Sequence, residues 1–226
     1  MPLENYFSGD PGFTHEQEAE LIRLTNALRG MMDSCVKLNA PLKELQDLAD
    51  QAEKLDLSMK KHASLRPLAA HNAIFKPEDV AWSSPYSPVV GRANPIAPPM
   101  HLVLTQDKAI GTVNFGDIYE GPPDCVHGGI IALTWDHVMA LANMLANARG
   151  PTAYLNIAYR NPSPLNTELR FEAWIDRIEG KKLFIKGACY NGETVVTEAE
   201  GLFINTIIKG LNIDPETIRQ QIVTAD

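Results

Sequence analysis

The sequence has no surplus of positive charge. Its 226 residues include 20 lysines and arginines against 28 aspartates and glutamates, which gives a formal net charge of -8 at pH 7. The basic residues are scattered along the chain and form no stripe. Because electrostatic binding to nucleic acid or to an anionic membrane surface needs such a stripe, we expect neither as a partner.

Long hydrophobic runs are also missing. No uninterrupted apolar stretch reaches the roughly 18 residues of a membrane-spanning helix. The nearest candidate follows Gly128, and Asp136, His137 and Asn143 interrupt it. The first residues, MPLENYFSGDPGF, have neither the basic start nor the apolar run of a secretory signal. We therefore expect a cytoplasmic protein without a membrane span.

Cysteine is scarce, and the spacing of the cysteines shows no paired motif. The three cysteines, Cys35, Cys125 and Cys189, are odd in number and form no CxxC pair. This pattern predicts free thiols in a reducing compartment. Cys125 lies close to the motif described below, but no feature of the sequence marks it as an activated thiolate.

Several chemical motifs are absent as well. The sequence contains no GxSxG nucleophile elbow, which excludes an α/β-hydrolase. It contains no HExxH and no paired cysteine motif, so we expect no metal site. Neither GxGxxG nor a P-loop is present, and we expect no bound nucleotide and no other cofactor.

The first part of the chain, residues 14 to about 65, has a helical pattern. Its apolar residues recur at steps of three and four, as on one face of an amphipathic helix. A second helix is predicted to start with Asn39 as its N-cap and with Pro41 in its first turn. The two helices either pack on their own domain or form a hairpin that binds a partner or dimerises, and we expect the packing on their own domain. The apolar stripe of the second helix consists of Leu38, Leu42, Leu45, Ala49 and Ala52.

Residues 66–100 are rich in Pro, Gly, Ser and Asn, which predicts irregular, extended chain. This segment is too apolar for a disordered linker. The side chains expected to hold it against the next domain are Trp82, Tyr86, Val89 and Val90.

Beyond residue 100 the pattern predicts strands, one helix, and strands again. Two short strands flank residues 106–108, and Leu169, Phe171 and Ala173 alternate with polar residues, as in a half-buried strand. Asn191-Gly192 is a strong signal for a tight hairpin turn, and Glu179-Gly180 is another. The consecutive hairpins predict an antiparallel sheet, and the single long helix inside it predicts that the sheet curls around that helix.

These patterns divide the chain into three parts. Residues 1–75 are predicted to form a helical N-terminal extension, and residues 76–210 an α+β domain. Residues 211–226 are predicted to form a short terminal helix or tail that starts at Asp214-Pro215.

The predicted central helix, from Gly128 to Leu145, contains a carboxylate. Its apolar residues cannot share one stripe, so other structure surrounds the helix on most sides. Asp136 lies in the middle, where an ionised group is costly unless it is paired, hydrated or useful. It is either a base or nucleophile, or an acid that reaches water or an arginine. His137 points about 100° away around the helix and so faces a different environment.

The sequence His127-Gly128-Gly129 opens this helix. Two glycines allow a ligand to approach the backbone closely. The N-terminus of a helix adds N–H groups without partners, which are suited to a developing oxyanion. Together with a carboxylate two turns later, this turn predicts an active site.

The motif GPPDCVHGGIIALTWD lies between RANPIAPPM and PTAYLNIAYRNPSPL. These segments resemble the hotdog-fold acyl-CoA thioesterases, and are most similar to their PaaI-like and THEM-like branches. The resemblance covers residues 85–206 and does not include the N-terminal helices. It consists of HGG, an acid eight residues after the first glycine, and a Thr ahead of a strand that ends in proline. It implies a hotdog fold and hydrolysis of an acyl-CoA thioester.

The resemblance also implies site residues. The N–H of Gly128 polarises the thioester carbonyl, and Asp136 acts as nucleophile or as general base. Thr152 orients water or the acid. His127 either donates to the thioester region or caps the turn. The residues expected around the substrate are Gly129, Glu120, Asp124 and Trp135.

One position departs from the pattern of the family. Some relatives carry Asn six residues before the HGG histidine, where this chain has Gly121. Either Glu120 or Asp124 replaces that Asn, or its role is absent and hydrolysis is slow or does not occur. The acyl group itself is not predicted.

Helix geometry adds an independent requirement. Gly128 and Asp136 are eight residues apart, which is about 12 Å along a helix axis. Both cannot act within about 3 Å of one carbonyl carbon. If both serve one thioester, they come from different protomers, so the sequence predicts a homodimer or a dimer of dimers with the acyl-CoA site at the interface.

Two rival functions exist within the same fold. A hotdog hydratase uses a paired Asp and His, and no His follows Asp136 five residues later. The second rival is a protein that binds acyl-CoA, or docks a partner through its N-terminal helices, without turnover. Gly121 and the helical extension favour that rival. Asp136 opposes it, because a pure binder gains by replacing a buried charge with a neutral residue.

Overall fold

The computed structural model describes residues 14–63, 85–98, 100–146, 148 and 150–205. Two helices come first, α1 (His15–Cys35) and α2 (Leu42–Lys60). The central helix is α3 (Gly128–Ala142), which continues as a 3-10 turn over Asn143–Ala146. A shorter 3-10 turn covers Asp117–Tyr119. The strands are β1 (His101–Leu104), β2 (Ala109–Asn114), β3 (Thr152–Tyr159), β4 (Glu168–Glu179), β5 (Lys182–Asn191) and β6 (Thr194–Ile204).

The six strands form one antiparallel sheet in the order β1-β2-β4-β5-β6-β3. In this described sheet, β1 and β3 are the edge strands. The hairpin turns lie where the sequence predicts them, and Gly180 and Gly192 have φ angles of 59° and 57°. Glycine adopts such angles without the penalty that other side chains meet, so these two positions set the strand register.

Helix α3 packs against one face of the sheet and forms the core with it. Trp135 is fully buried, lies edge-on to Phe171 at 5.0 Å, and donates its indole N–H to the Thr197 hydroxyl at 2.9 Å. Gly187 of β5 leaves the room that the Trp135 ring occupies. This confirms the predicted α+β arrangement, the hotdog fold, in which an antiparallel sheet wraps around one long helix.

The central helix and its 3-10 turn, Gly128–Ala146, are long and apolar enough to cross a membrane by length and composition alone. Their position in the fold supplies another reason for that composition. The buried residues of the helix are Ile131, Thr134, Trp135, Val138, Met139, Leu141 and Ala142. A core helix enclosed by a sheet needs the same apolar surface as a membrane helix.

The irregular segment before β1 is attached to the domain, as predicted. Val89 and Val90 are buried in the core cluster, and Tyr86 is half-buried. The Tyr119 hydroxyl donates to the carbonyl of Ile96 at 2.9 Å, which ties this segment to the chain ahead of α3. Trp82 lies outside the described residues.

Helix α1 packs on the domain. Thr14 caps its N-terminus in a capping box with Gln17. On the inner side Thr25 is buried, and the Arg29 guanidinium donates to the carbonyl of Asn94 at 2.9 Å. Just after the helix, Lys37 forms an ion pair with Asp117 at 2.9 Å. The N-terminal extension is therefore joined to the 3-10 turn that precedes the HGG sequence.

Helix α2 differs from both predictions made for it. Its N-cap is Pro41, not Asn39, and no side chain caps it. The residue before a proline disfavours helical backbone angles, so Ala40 does not continue a helix from Asn39. Pro41 itself has ψ 150°, outside the helical range, and the helix starts at Leu42. Each residue of α2 is exposed or half-buried, and Leu42 is 72% exposed. The expected packing on the same domain holds for α1 and is wrong for α2.

The terminal helix predicted from Asp214-Pro215 lies outside the described residues. The three-part division at residues 75 and 210 stays a prediction.

Candidate active site

The HGG turn is held from several sides. His127 is the N-cap of α3, and its Nδ1 accepts from the N–H of Gly129 at 2.9 Å. The His127 N–H donates to the carbonyl of Tyr119 at 2.8 Å, and the His127 carbonyl accepts from Ile130 at 2.9 Å and Ile131 at 3.2 Å. This imidazole therefore caps the turn through Nδ1, while its donation to a thioester stays a prediction.

These bonds decide which glycine N–H faces outward. The N–H of Gly129 is occupied by His127. The N–H of Gly128 is the first of the helix and has no carbonyl four residues earlier in the helix to donate to. It belongs to the same planar peptide as the His127 carbonyl and points the opposite way, which is away from the helix. Gly128 therefore provides the outward donor at the helix N-terminus.

A tyrosine that no motif indicates contacts the same turn. The Tyr159 hydroxyl donates to the carbonyl of Gly128 at 2.7 Å. Its ring lies 3.5 Å from the point where a Cβ on Gly128 would be. Tyr159 is the last residue of β3, 31 positions away along the chain. The alternation Leu155, Ile157, Tyr159 was the one available signal, because it places all three on the helix side of the strand.

The predicted acid and its predicted partner are hydrogen-bonded. The Thr152 hydroxyl donates to Asp136 Oδ1 at 2.6 Å, and both residues are half-buried. Thr152 is the first residue of β3, and a register shift between Thr152 and Tyr154 interrupts the pairing with β6 at that point. Such bulges re-aim side chains, which explains how the end of an edge strand reaches the helix. This bond fixes the position of one carboxylate oxygen.

His137 has a different environment from its neighbour Asp136. Burial lowers the pKa of His137 below its usual value, and the nearby Asp136 charge partly opposes that change. A half-buried imidazole whose pKa is lowered agrees with a packing role for this residue.

The structure also explains the departure at Gly121. A Cβ at this position would lie 2.7 Å from the Cα of His127, so an Asn side chain does not fit this backbone. The Glu120 carboxylate accepts from the N–H of Asp124 at 2.9 Å, and Asp124 has a φ of 59°. The two acids therefore stabilise a tight turn ahead of the HGG sequence, and both are exposed.

The two acids also line a cleft of about 300 Å³ between the end of α1 and this turn. The cleft places the N-terminal extension beside residues that the sequence assigns to the substrate. Its lining residues are Val36, Lys37, Asp117, Glu120, Asp124, Leu165 and Asn166.

Trp135 requires a correction. The sequence predicts that it contacts the substrate, but none of its surface is exposed and its N–H is satisfied by Thr197. An indole on a helix that is apolar all round fits both a pocket wall and a core. The glycine at 187 decides for the core, because it leaves the space that the indole ring fills.

The candidate site residues thus form two groups along α3. Gly128, His127, Gly129 and Tyr159 are together at the N-terminus of α3, and Asp136 and Thr152 are together two turns later. The eight residues between Gly128 and Asp136 lie on one helix, so about 12 Å of axis separates the two groups.

Comparisons with known proteins agree with this description. No family model matches the chain. Acyl-coenzyme A thioesterase THEM5 of Homo sapiens is 29% identical over 102 residues, which are 44% of this chain and 41% of that protein. Acyl-coenzyme A thioesterase THEM4 of Mus musculus is 35% identical over 99 residues, 43% of this chain and 40% of that protein. The matches thus span about two fifths of the length of these curated relatives.

A solved structure covers much more of the chain. The crystal structure of a thioesterase superfamily protein matches 88% of this chain and 95% of its own, with a TM-score of 0.70 and 28% sequence identity. The chain thus has the fold of this thioesterase superfamily protein and resembles acyl-coenzyme A thioesterases in sequence.

Proposed function

We propose that the protein hydrolyses acyl-CoA thioesters at a site shared between two protomers. The observation that carries the proposal is the hydrogen bond from Thr152 to Asp136, which holds a carboxylate on a helix that is mostly apolar. The outward N–H of Gly128 supplies the complementary group, a donor for the oxygen that becomes negative in the transition state. The names of the curated relatives support the substrate class.

The reaction has two possible routes with the same residues. Asp136 either takes a proton from water while the water oxygen attacks the thioester carbonyl, or attacks that carbon itself. In the first route the C–S bond breaks, and the CoA thiolate receives the proton. In the second route the Asp136 carboxylate forms a bond to the carbonyl carbon, the C–S bond breaks and CoA thiolate leaves. Water then hydrolyses the mixed anhydride to the free acid and the Asp136 carboxylate, and the proton released goes to the CoA thiolate. Thr152 orients the carboxylate in both.

The topology supports sharing of the site between protomers. Strand β3 lies at the edge of the described sheet, and its two ends carry Thr152 and Tyr159. If two copies pair their β3 strands antiparallel around a twofold axis, the first residue of one strand lies opposite the last residue of the other. This pairing brings Thr152 and Asp136 of one protomer toward Tyr159 and Gly128 of its partner.

The proposal is tested by release of free thiol from short, long and aromatic acyl-CoAs. Asp136→Asn keeps the size of the side chain and removes its basicity, so we expect hydrolysis to fall by at least about 10²-fold. The folded state is checked by circular dichroism and by the oligomeric state. Wild-type release that the variant lacks supports the proposal and identifies the acyl class.

Two other results would contradict it. Equal turnover by wild type and Asp136→Asn would remove Asp136 from the mechanism. Binding of CoA esters without release from any substrate would favour the rival function, an acyl-CoA-binding protein. The exposed α2 and the loss of an Asn at Gly121 are the features that favour this rival.

A further inference from the structure

The peptide between Gly128 and Gly129 is bound at both of its polar ends. Its carbonyl accepts from the Tyr159 hydroxyl at 2.7 Å, and its N–H donates to His127 Nδ1 at 2.9 Å. Hydrogen bonds in such a chain polarise one another, so each bond strengthens the next. The phenol on β3 therefore acts on the imidazole through a single peptide group.

This chain of bonds determines which tautomer of the neutral His127 imidazole fits the turn. A nitrogen that accepts a hydrogen bond carries no proton, so the neutral ring has its proton on Nε2. His127 is exposed, and the Nε2–H is a second donor next to the outward N–H of Gly128. The hydrogen bond from the Tyr159 hydroxyl to the Gly128 carbonyl thus orients two donors at the helix N-terminus.

Tyr159 does not have the properties of an acid that acts on the substrate itself. Its hydroxyl proton is already directed at the Gly128 carbonyl. Partial burial also raises the pKa of Tyr159 above its ordinary value, so the phenol stays protonated at neutral pH. The contribution of Tyr159 is therefore to the geometry of the HGG turn.

We propose that Tyr159 is a positioning residue, whose phenol holds the Gly128–Gly129 peptide so that the donors of Gly128 and His127 face the reacting carbonyl. This inference rests on the proposed function and deepens it. It also gives β3 a second role. One end of this strand places Thr152 against Asp136, and the other end places Tyr159 against the HGG turn.

The test compares Tyr159→Phe with Tyr154→Phe. The first variant removes one hydroxyl and keeps the ring that contacts Gly128. The control removes a hydroxyl from the same strand on the opposite face, where Tyr154 pairs with Leu202. Two readouts are measured on the full chain: kcat and KM for thioester hydrolysis, and amide hydrogen exchange at Gly129 by NMR.

We expect kcat of Tyr159→Phe to fall about three- to tenfold with KM little changed, which is the effect of losing one neutral hydrogen bond in the transition state. Exchange at the Gly129 amide should accelerate by a similar factor, because its bond to His127 loses a fixed partner peptide. Tyr154→Phe should change neither quantity.

Each combination of the two readouts supports or overturns the positioning role of Tyr159. A fall in kcat without faster Gly129 exchange means that Tyr159 acts on the substrate directly, and this overturns the positioning role. Faster exchange with unchanged kcat also overturns it, as does no change in either readout. If wild type hydrolyses no thioester, the proposed function fails by itself. The exchange at Gly129 then decides alone whether Tyr159 holds the turn.

Discussion

At the scale of single residues, the neighbours Asp136 and His137 on the central helix have different roles. Asp136 is half-buried and hydrogen-bonded to Thr152, and the next residue, His137, is half-buried in surroundings that lower the pKa of its imidazole. The helical step of 100° turns the two side chains to different surroundings. One position is thereby available for chemistry while the other contributes to packing and makes stability depend on pH.

His137 should destabilise the fold in mild acid. Burial lowers its pKa in the folded protein below the usual 6.5, so the unfolded chain binds the proton first as the pH falls. Stability is therefore complete above about pH 6.5 and declines below it until the folded pKa is passed. Between these two pKa values the decline approaches about 1.4 kcal/mol per pH unit. His137→Gln should reduce this decline in urea unfolding between pH 7.5 and 5.0. An unchanged pH dependence would show that other groups cause it.

At the scale of elements, the fold depends on the contact between α3 and β5. Gly187 faces the Trp135 ring so closely that a Cβ would lie 2.4 Å from its Cζ3 atom and 2.6 Å from the Glu172 carbonyl oxygen. Neither a fully buried indole nor a paired strand has room to move, because interiors are close-packed. The absence of a side chain at 187 is thus a condition for the helix to lie on the sheet.

Gly187→Ala should lower the free energy of unfolding by about 1–3 kcal/mol or more, since it overpacks this contact. Gly30→Ala is the matched control. Gly30 lies inside α1, and a Cβ there meets no atom within 4 Å. In this position alanine should stabilise the helix by about 0.5–1 kcal/mol. Urea unfolding of both variants measures the difference, and equal effects would contradict the packing argument.

At the scale of the whole molecule, the proposed sharing of the site between two protomers would make activity a property of a pair. Pairing through β3 would place each outward Gly128 donor near the Asp136 of the other copy. Two variants that each damage a different half should then restore one intact site when they are combined. A site confined to one protomer would not behave in this way.

Gly128→Pro removes the outward N–H, and proline is tolerated at the first position of a helix. His127 before it has φ -57° and ψ 131°, which are angles that a residue before proline prefers. Alone, this variant and Asp136→Asn should both be nearly inactive. After subunit exchange of equal amounts, half of the dimers carry one intact site, so activity should return to about one quarter of wild type.

Gly128→Ala is the control for that experiment, because it keeps the N–H and its Cβ makes only ordinary contact with Tyr159 at 3.4 Å. It should retain most of the activity. No recovery after verified exchange would place both groups in separate sites or in one protomer.

The sequence alone determined what depends on neighbouring residues. Hairpin glycines require particular backbone angles, alternation marks the faces of a strand, and an apolar helix that starts at His127-Gly128-Gly129 must be enclosed. These features predicted the sheet, the central helix, and Gly128 and Asp136 as the centre of the site. Each is local, because backbone sterics and side-chain periodicity act within a few positions.

Only the tertiary structure decided the contacts between distant elements. Tyr159 reaches Gly128 across 31 positions, and Trp135 reaches Thr197 across 62. A shift of one residue in the register of β3 or β6 would turn these side chains to the other face of the sheet, and no local pattern fixes which partner each then meets. The same reason explains why the sequence assigns Trp135 to the substrate and does not indicate Tyr159. It also explains why the apolar stripe of α2 is expected to be covered: the stripe shows that a helix has a face to bury, and the packing of the whole chain decides whether that face is buried.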